Sequence, residues 1–241
     1  MDPRLKRLDL KTLALSISDL LMPRVCLCCG RQLLAGERHL CCVCLADLPL
    51  THFEARVHNP MADSFNALVE APGYEKACAL FYYSGGYERI TQALKYGRNF
   101  GAGRYFASLL GEKLAGEGWD VDVVCPVPLH WTRRFSRGYN QAEVIGREVA
   151  SALGAAFEPR LLRRVRRTGS QVSFSAEERA ANVAGAFKVR PTTGARWRPS
   201  RILLIDDVFT TGATLSACAA ALRDAFGPEV RISVATLAYA E

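Results

Sequence analysis

The sequence has no run of eighteen apolar residues. Its most apolar stretch, Leu10 to Met22, is broken by Asp19 and bordered by Arg24 and the early Lys and Arg residues, so no membrane-spanning helix is expected. It also lacks the basic start, continuous apolar stretch and small-residue cleavage site of a secretory leader, and the expected location is therefore the cytoplasm. No internal repeat is present, and the one biased stretch is basic rather than low in complexity. What is present suits a globular chain: 241 residues, 49% hydrophobic and 23% charged, enough for one ordinary domain and something smaller. Disordered, collagen-like and coiled-coil classes are excluded. The nine cysteines are an odd count for a reducing compartment, which argues against a disulfide framework and for metal ligands mixed with buried thiols.

Cysteine is concentrated. Cys26, Cys28, Cys29, Cys41, Cys42 and Cys44 lie close together, whereas Cys78, Cys125 and Cys218 stand alone inside apolar segments and read as packing residues. Before the cluster, leucines and Ile17 recur at three- and four-residue steps, which predicts an amphipathic helix ending at Pro23. After it, a stretch rich in Pro, His and Asn without periodicity reads as a connection. From residue 76 onward apolar strands alternate with helical patterns: Ala77 to Tyr83, Tyr87 to Tyr96, Tyr105 to Leu114, Val121 to Val127, Asn140 to Leu153, Ile202 to Ile205, Ala213 to Phe226 and Val230 to Leu237. That alternation predicts an α/β fold with a parallel sheet covered on both faces. The expected domains are a helix over 1–22, a cysteine module over 23–50, a connecting segment over 51–75 and the α/β domain over 76–241.

Cys26 and Cys29 with Cys41 and Cys44 form C-x2-C-x11-C-x2-C. Each pair can present two thiolates to one tetrahedral ion, with Zn–S bonds of about 2.3 Å, and Gly30 suits the tight turn after the first pair. Four ligands leave no open position, so zinc here would be structural. Cys28 and Cys42 allow a shifted register, and an iron–sulfur cluster is a minor alternative.

The most informative stretch runs from Ile202 through Asp206, Asp207, Val208, Phe209, Thr210, Thr211, Gly212 and Ala213 to Thr214. A buried strand, two carboxylates and a Thr/Gly turn lead directly into a helix. Backbone N–H groups at a helix N-terminus form an anion site, the threonine hydroxyls add donors, and Gly212 permits close approach or positive φ. Adjacent carboxylates beside it can accept hydrogen bonds from vicinal hydroxyls or help hold Mg²⁺. Together these describe a sugar phosphate. The order resembles the signature of the type I phosphoribosyltransferases, which bind phosphoribosyl pyrophosphate. The resemblance implies that Thr210, Thr211, Gly212, Ala213 and Thr214 hold the 5-phosphate and that Asp206 and Asp207 hold the ribose hydroxyls.

Pro126-Val127-Pro128-Leu129-His130 follows another predicted strand and leads to Arg133, Arg134 and Arg137, and then to Asn140, a candidate N-cap with Glu143 completing a capping box. In the same resemblance, Val127 and Pro128 belong to a pyrophosphate loop. From Arg133 to Arg201 the chain carries fifteen Lys/Arg against five Asp/Glu, so this segment is more basic than the +7 of the whole chain. Arg160, Arg163, Arg164, Arg166 and Arg167 are its densest part, readable as a solvated face or as a phosphate or nucleic-acid surface.

The order CxxCG, CxxC, PVPLH, RGYNQAE, QVSFSAEERAANVAGAF and ILLIDDVFTTGATL is similar to the ComF family, competence-associated proteins with a phosphoribosyltransferase-like domain. That resemblance adds Gln171, Arg179 and Asn182 as residues of a loop over the site, and makes Asp206, Asp207 and Arg137 the catalytic candidates. Ser173 and Phe174 depart from the family's Gly and Leu, and Trp131 stands where Pro is common. The implied activity is a phosphoribosyltransferase-type glycosyl transfer with Mg²⁺, associated with DNA uptake. Single-stranded DNA, a competence helicase or a DNA-processing protein are the partners it implies. The alternatives are a non-catalytic nucleic-acid or protein-binding component of DNA uptake and a nucleobase-salvage phosphoribosyltransferase.

Overall fold

The computed structural model describes residues 23–69, 74–96, 99–129, 138–166, 185–194 and 198–240. The chain divides into two compact units between Leu48 and Pro49. The helix expected over 1–22 lies outside the described residues.

The smaller unit is built on two turns. Val25 bridges Gln32 in antiparallel fashion, and the Cys26 N–H donates to the Arg31 carbonyl while the Gly30 N–H donates to that of Cys26. This knuckle reverses the chain within one CxxC pair. The second pair brackets the start of α1 (Cys42–Ala46), whose N-cap is Cys41; its sulfur accepts from the Cys44 N–H at 3.4 Å. Glu37 ties the two together, accepting from the N–H groups of Leu34 and Cys42, each at 2.7 Å.

The larger unit is α/β. Its strands are β1 (Tyr74–Tyr82), β2 (Val123–Pro126), β3 (Ala156–Phe157), β4 (Leu162–Arg164), β5 (Phe187–Val189), β6 (Arg201–Phe209) and β7 (Arg231–Tyr239). Its helices, numbered on from α1, are α2 (Pro60–Asn66), α3 (Glu88–Tyr96), α4 (Phe100–Gly116), α5 (Gln141–Leu153), α6 (Pro191–Gly194) and α7 (Ala213–Phe226). Five strands form one sheet in the order β1-β7-β6-β2-β3, every pair parallel. Ile202 to Ile205 of β6 and Ile232, Val234 and Ala235 of β7 are fully buried, as continuous apolar runs should be when both faces are covered. β4 and β5 pair separately as an antiparallel ribbon that packs on α7.

The direction of the crossovers places the site. β2 leads through α5 to β3 on its outer side, whereas β6 leads through α7 to β7 in the opposite direction. With right-handed connections, the general rule, α5 and α7 then lie on opposite faces, and the switch point falls between β2 and β6. Helix α4 packs against α5, where the backbone of Gly111 comes so close that an added Cβ would lie 2.7 Å from the Ala152 Cβ.

Two expectations need correction. Residues 51–75 are not merely a connection: a short 3₁₀ turn (Phe53–Ala55) and α2 bury Phe53, Met61 and Phe65 against β1. Leu50 pairs with Phe81 and covers the outer edge of β1, so the larger unit begins at Pro49. These elements are too short for their few apolar residues to display a period. Second, β6 does not end at the acids. It continues through them to Phe209 because β7 runs beside it as far as Tyr239.

Candidate functional site

Pairing on the two sides of β6 is unequal. On the β2 side it ends where Pro126 meets Ile205 and the Val127 N–H donates to the Ile205 carbonyl at 2.8 Å. On the β7 side it continues past Asp206 to Phe209. The chain beyond β2 therefore leaves β6 just where the carboxylates begin, at the switch point, beside which open α/β sheets bind ligands in a crevice. Val127 and Pro128 stand on the β2 side of that point. Asn140 holds that exit in place: its amide donates to the Val127 carbonyl at 2.9 Å while its oxygen accepts from the Ala142 N–H and caps α5.

Because side chains alternate along a strand, the two acids face different layers. Ile205 lies under Gly146 of α5, so Asp207, two residues on, faces the α3–α4–α5 side. There the Lys95 ammonium of α3 lies 3.1 Å from a carboxylate oxygen of Asp207. Asp206 faces α7, and its Oδ1 accepts from the Asp207 N–H at 2.8 Å. Burial, followed by the charge of Asp207, pushes Asp206 up to about 7, with Lys95 and Arg164 opposing the rise.

The turn that follows folds back over Phe209. Gly212 is the N-cap of α7 at φ 73° and supplies no side-chain cap. A Cβ there would meet the Phe209 ring at 2.8 Å and Leu68 at 3.2 Å. The first turn of a fourteen-residue helix thus offers its N–H groups at the switch point, beside Thr210, Thr211, Ala213 and Thr214. The site residues expected from sequence that are described, namely Asp206, Asp207, Thr210 to Thr214, Val127 and Pro128, lie at the switch point. Arg137, Arg179, Gln171 and Asn182 lie outside the described residues.

In the smaller unit the Sγ atoms of Cys26, Cys29, Cys41 and Cys44 all lie within 4.8 Å of one another, and Cys29 and Cys41 are 3.8 Å apart. An ion with bonds of about 2.3 Å in a tetrahedron sets its ligands about 3.8 Å apart, so the four can hold a structural metal such as zinc. The register is thereby decided: Cys28 is buried elsewhere and Cys42 is exposed, its sulfur 3.8 Å from the Arg31 guanidinium. Burial alone would raise the Cys26 thiol, but the N–H groups of Cys29, Cys41 and Cys28 outweigh it and bring it down to about 6. Burial and the neighbouring sulfurs push Cys44 upward. Cys78, Cys125 and Cys218 are fully buried; burial raises Cys125 to about 12 and the other two well above their usual value, as suits inert packing residues.

No family model matches the sequence. Individual relatives do. Competence protein F of Haemophilus influenzae is 28% identical over 172 residues, covering 69% of this chain and 75% of that protein. Competence protein ComFC of Streptococcus pneumoniae is 31% identical over 153 residues, 64% of each chain. DNA utilization protein YhgH of Salmonella typhimurium is 26% identical over 218 residues, covering 83% of this chain and 91% of that one. These relatives, 25–31% identical over most of the chain, support the ComF family for it. A solved structure of adenine phosphoribosyltransferase from Trypanosoma brucei, in complex with AMP, pyrophosphate and ribose-5-phosphate, is 16% identical and covers 75% of this chain and 79% of that one, with a TM-score of 0.37. The fold class is the expected one, a parallel α/β sheet flanked by helices and preceded by a four-cysteine module. Among the described residues no helix is long and apolar enough to cross a membrane.

Three groups near these sites were not legible in the sequence. Lys95 gave no signal, since a lysine near a helix C-terminus is ordinary. Glu37 lacked a motif, although a carboxylate between two CxxC pairs is a hint. Asn140 was legible as a cap but not as the clamp on Val127.

Proposed function

We propose that this chain binds phosphoribosyl pyrophosphate with Mg²⁺ in the crevice between β2 and β6, carries structural zinc in its four-cysteine module, and serves DNA uptake in the cytoplasm. The observation that carries the reading is the β6–α7 turn: two carboxylates at the sheet's switch point, followed by a helix N-terminus capped by glycine alone. The helix N-terminus and the threonines suit the 5-phosphate. Asp206 and Asp207 offer the hard oxygen ligands that Mg²⁺ prefers and acceptors for ribose hydroxyls. Bound there, Mg²⁺ would neutralise charge on the departing pyrophosphate. By the family resemblance Arg137 and Arg179 share that task and Val127 and Pro128 shape the pyrophosphate loop. Titration calorimetry with phosphoribosyl pyrophosphate and Mg²⁺ tests the reading. Binding lost in Asp206→Asn/Asp207→Asn is expected, and absence of binding by the wild-type chain refutes it. Pyrophosphate release in a screen of acceptors then separates a transferase, including a nucleobase-salvage enzyme, from a binding protein.

A second reading, a non-catalytic nucleic-acid-binding component of DNA uptake, is favoured by the β4–β5 ribbon. Exposed Arg163 and Lys188 stand directly opposite each other, an arrangement of like charges that is unfavourable without an anion, and Arg160, Arg166 and Arg190 are exposed beside them. The names of the relatives, competence and DNA-utilization proteins, agree with such a role, in which a competence helicase or DNA-processing protein would be a further partner. A salt titration with single-stranded oligonucleotides decides it: Arg163→Ala/Lys188→Ala should weaken binding and flatten the salt dependence, and unchanged affinity removes the ribbon from the reading.

A further inference from the structure

The Lys95–Asp207 pair can be a brace or a working part. A brace is the simpler account: a cation near the C-terminus of α3 suits the helix dipole and ties the helix to β6. The position argues for more. Both side chains are largely buried, with 21% and 13% exposure, and they meet at the point where the chain beyond β2 has left β6. The same ammonium also counters the rise of Asp206 on the opposite face of the strand, so one cation bears on both carboxylates.

That arrangement conflicts with the ligand. A divalent cation on Asp207 would sit within a few ångströms of an ammonium already 3.1 Å from the same carboxylate, and like charges so close in a partly buried site repel strongly. The conflict is relieved if the ammonium leaves as the cation arrives. Lysine suits this exchange, being a compact charge with rotatable donors on a flexible four-carbon stem, and the donor brings anionic oxygens to the same crevice. We propose that Lys95 is an exchangeable counter-ion, holding Asp207 while the crevice is empty and passing to an anionic oxygen of the sugar-phosphate donor when a divalent cation takes the carboxylate. This rests on the donor reading of the crevice.

The test measures two affinities on the full chain, each by titration calorimetry: Mg²⁺ alone, and phosphoribosyl pyrophosphate at saturating Mg²⁺. Lys95→Met should bind Mg²⁺ about tenfold more tightly, because a competing cation is gone, and the donor about tenfold or more weakly, because a charge-assisted hydrogen bond is lost. Lys95→Arg keeps the charge and should hold the donor to within about threefold of the wild type without tightening Mg²⁺. A brace predicts a lower melting temperature with both affinities unchanged or shifted in the same direction, and that result overturns the proposal. If the wild type binds Mg²⁺ but no donor, the donor reading falls by itself. The Mg²⁺ arm then decides for Lys95: tightening in Lys95→Met supports competition for the carboxylates, and its absence removes it. Should Lys95→Met fail to fold, Lys95→Gln carries the same two measurements.

Discussion

Gly212→Ala tests the turn proposed to bind phosphate with one methyl group. Two costs arise. The backbone stands at φ 73°, where an L side chain costs about 1–2 kcal/mol. The added Cβ would also lie 2.8 Å and 3.1 Å from atoms of the Phe209 ring and 3.2 Å from Leu68. Phe209 is 1% exposed and stacks near Tyr239 with ring centroids 5.8 Å apart, so the ring has nowhere to go without moving its neighbours. Overpacking of that kind costs about 1–3 kcal/mol. The expected loss is therefore about 2–5 kcal/mol, read as a lower urea midpoint. Gly154→Ala isolates the first cost, for Gly154 has φ 64° and nothing within 4 Å of an added Cβ, and it should lose about 1–2 kcal/mol. Because the turn must lift off Phe209 to admit the methyl, donor affinity should fall at least tenfold in Gly212→Ala and stay unchanged in Gly154→Ala. Equal midpoints for the two variants would refute the close-approach argument, and wild-type donor affinity in Gly212→Ala would remove the turn from the binding site.

Other outcomes follow from the same geometry. Cys26→Ser/Cys29→Ser should lose one metal ion in native mass spectrometry, and an unchanged metal content refutes the site. Glu37→Gln weakens acceptance from the Leu34 and Cys42 N–H groups that orient the second CxxC pair, so a chelator should remove the metal about tenfold faster; an unchanged rate shows that Glu37 does not support the centre. Asp206 sits at about 7 in the folded chain against about 3.9 unfolded. The folded state thus keeps a proton that the unfolded chain has released, and stability falls as pH rises from about 4 through 7, levelling above. Urea midpoints of the metal-free protein should show this slope in the wild type and a flatter one in Asp206→Asn, and identical slopes would refute it. Lys113→Met removes the ammonium that meets the 6%-exposed Glu54 carboxylate at 2.7 Å and leaves that charge with His52, whose Nδ1 lies 3.7 Å away. With Lys113 itself 28% exposed, the loss should be about 2–4 kcal/mol, largely restored in Glu54→Gln/Lys113→Met; no restoration would show that the lysine stem, not the carboxylate charge, is what matters.

By itself the sequence determined whatever depends on neighbours along the chain. The Ala213–Phe226 helix, its glycine start, the Asn140 cap and the two CxxC turns are set by backbone preferences and hydrogen bonds spanning a few residues. The order of apolar strand, acids, Thr/Gly turn and helix made the proposed phosphate site readable before any fold was known. Tertiary structure decided what depends on distant partners. Six cysteines offered more than one set of ligands, and convergence selected Cys26, Cys29, Cys41 and Cys44. The acids alone do not reveal that Asp207 faces α3 and Asp206 faces α7, nor that Lys95 waits there, because strand register and the choice of flanking layer are set by which surfaces bury one another. Phe53, Met61 and Phe65 looked like parts of a connection for the same reason: burial against β1 gives them their role, and a linear pattern carries no record of the surface they meet.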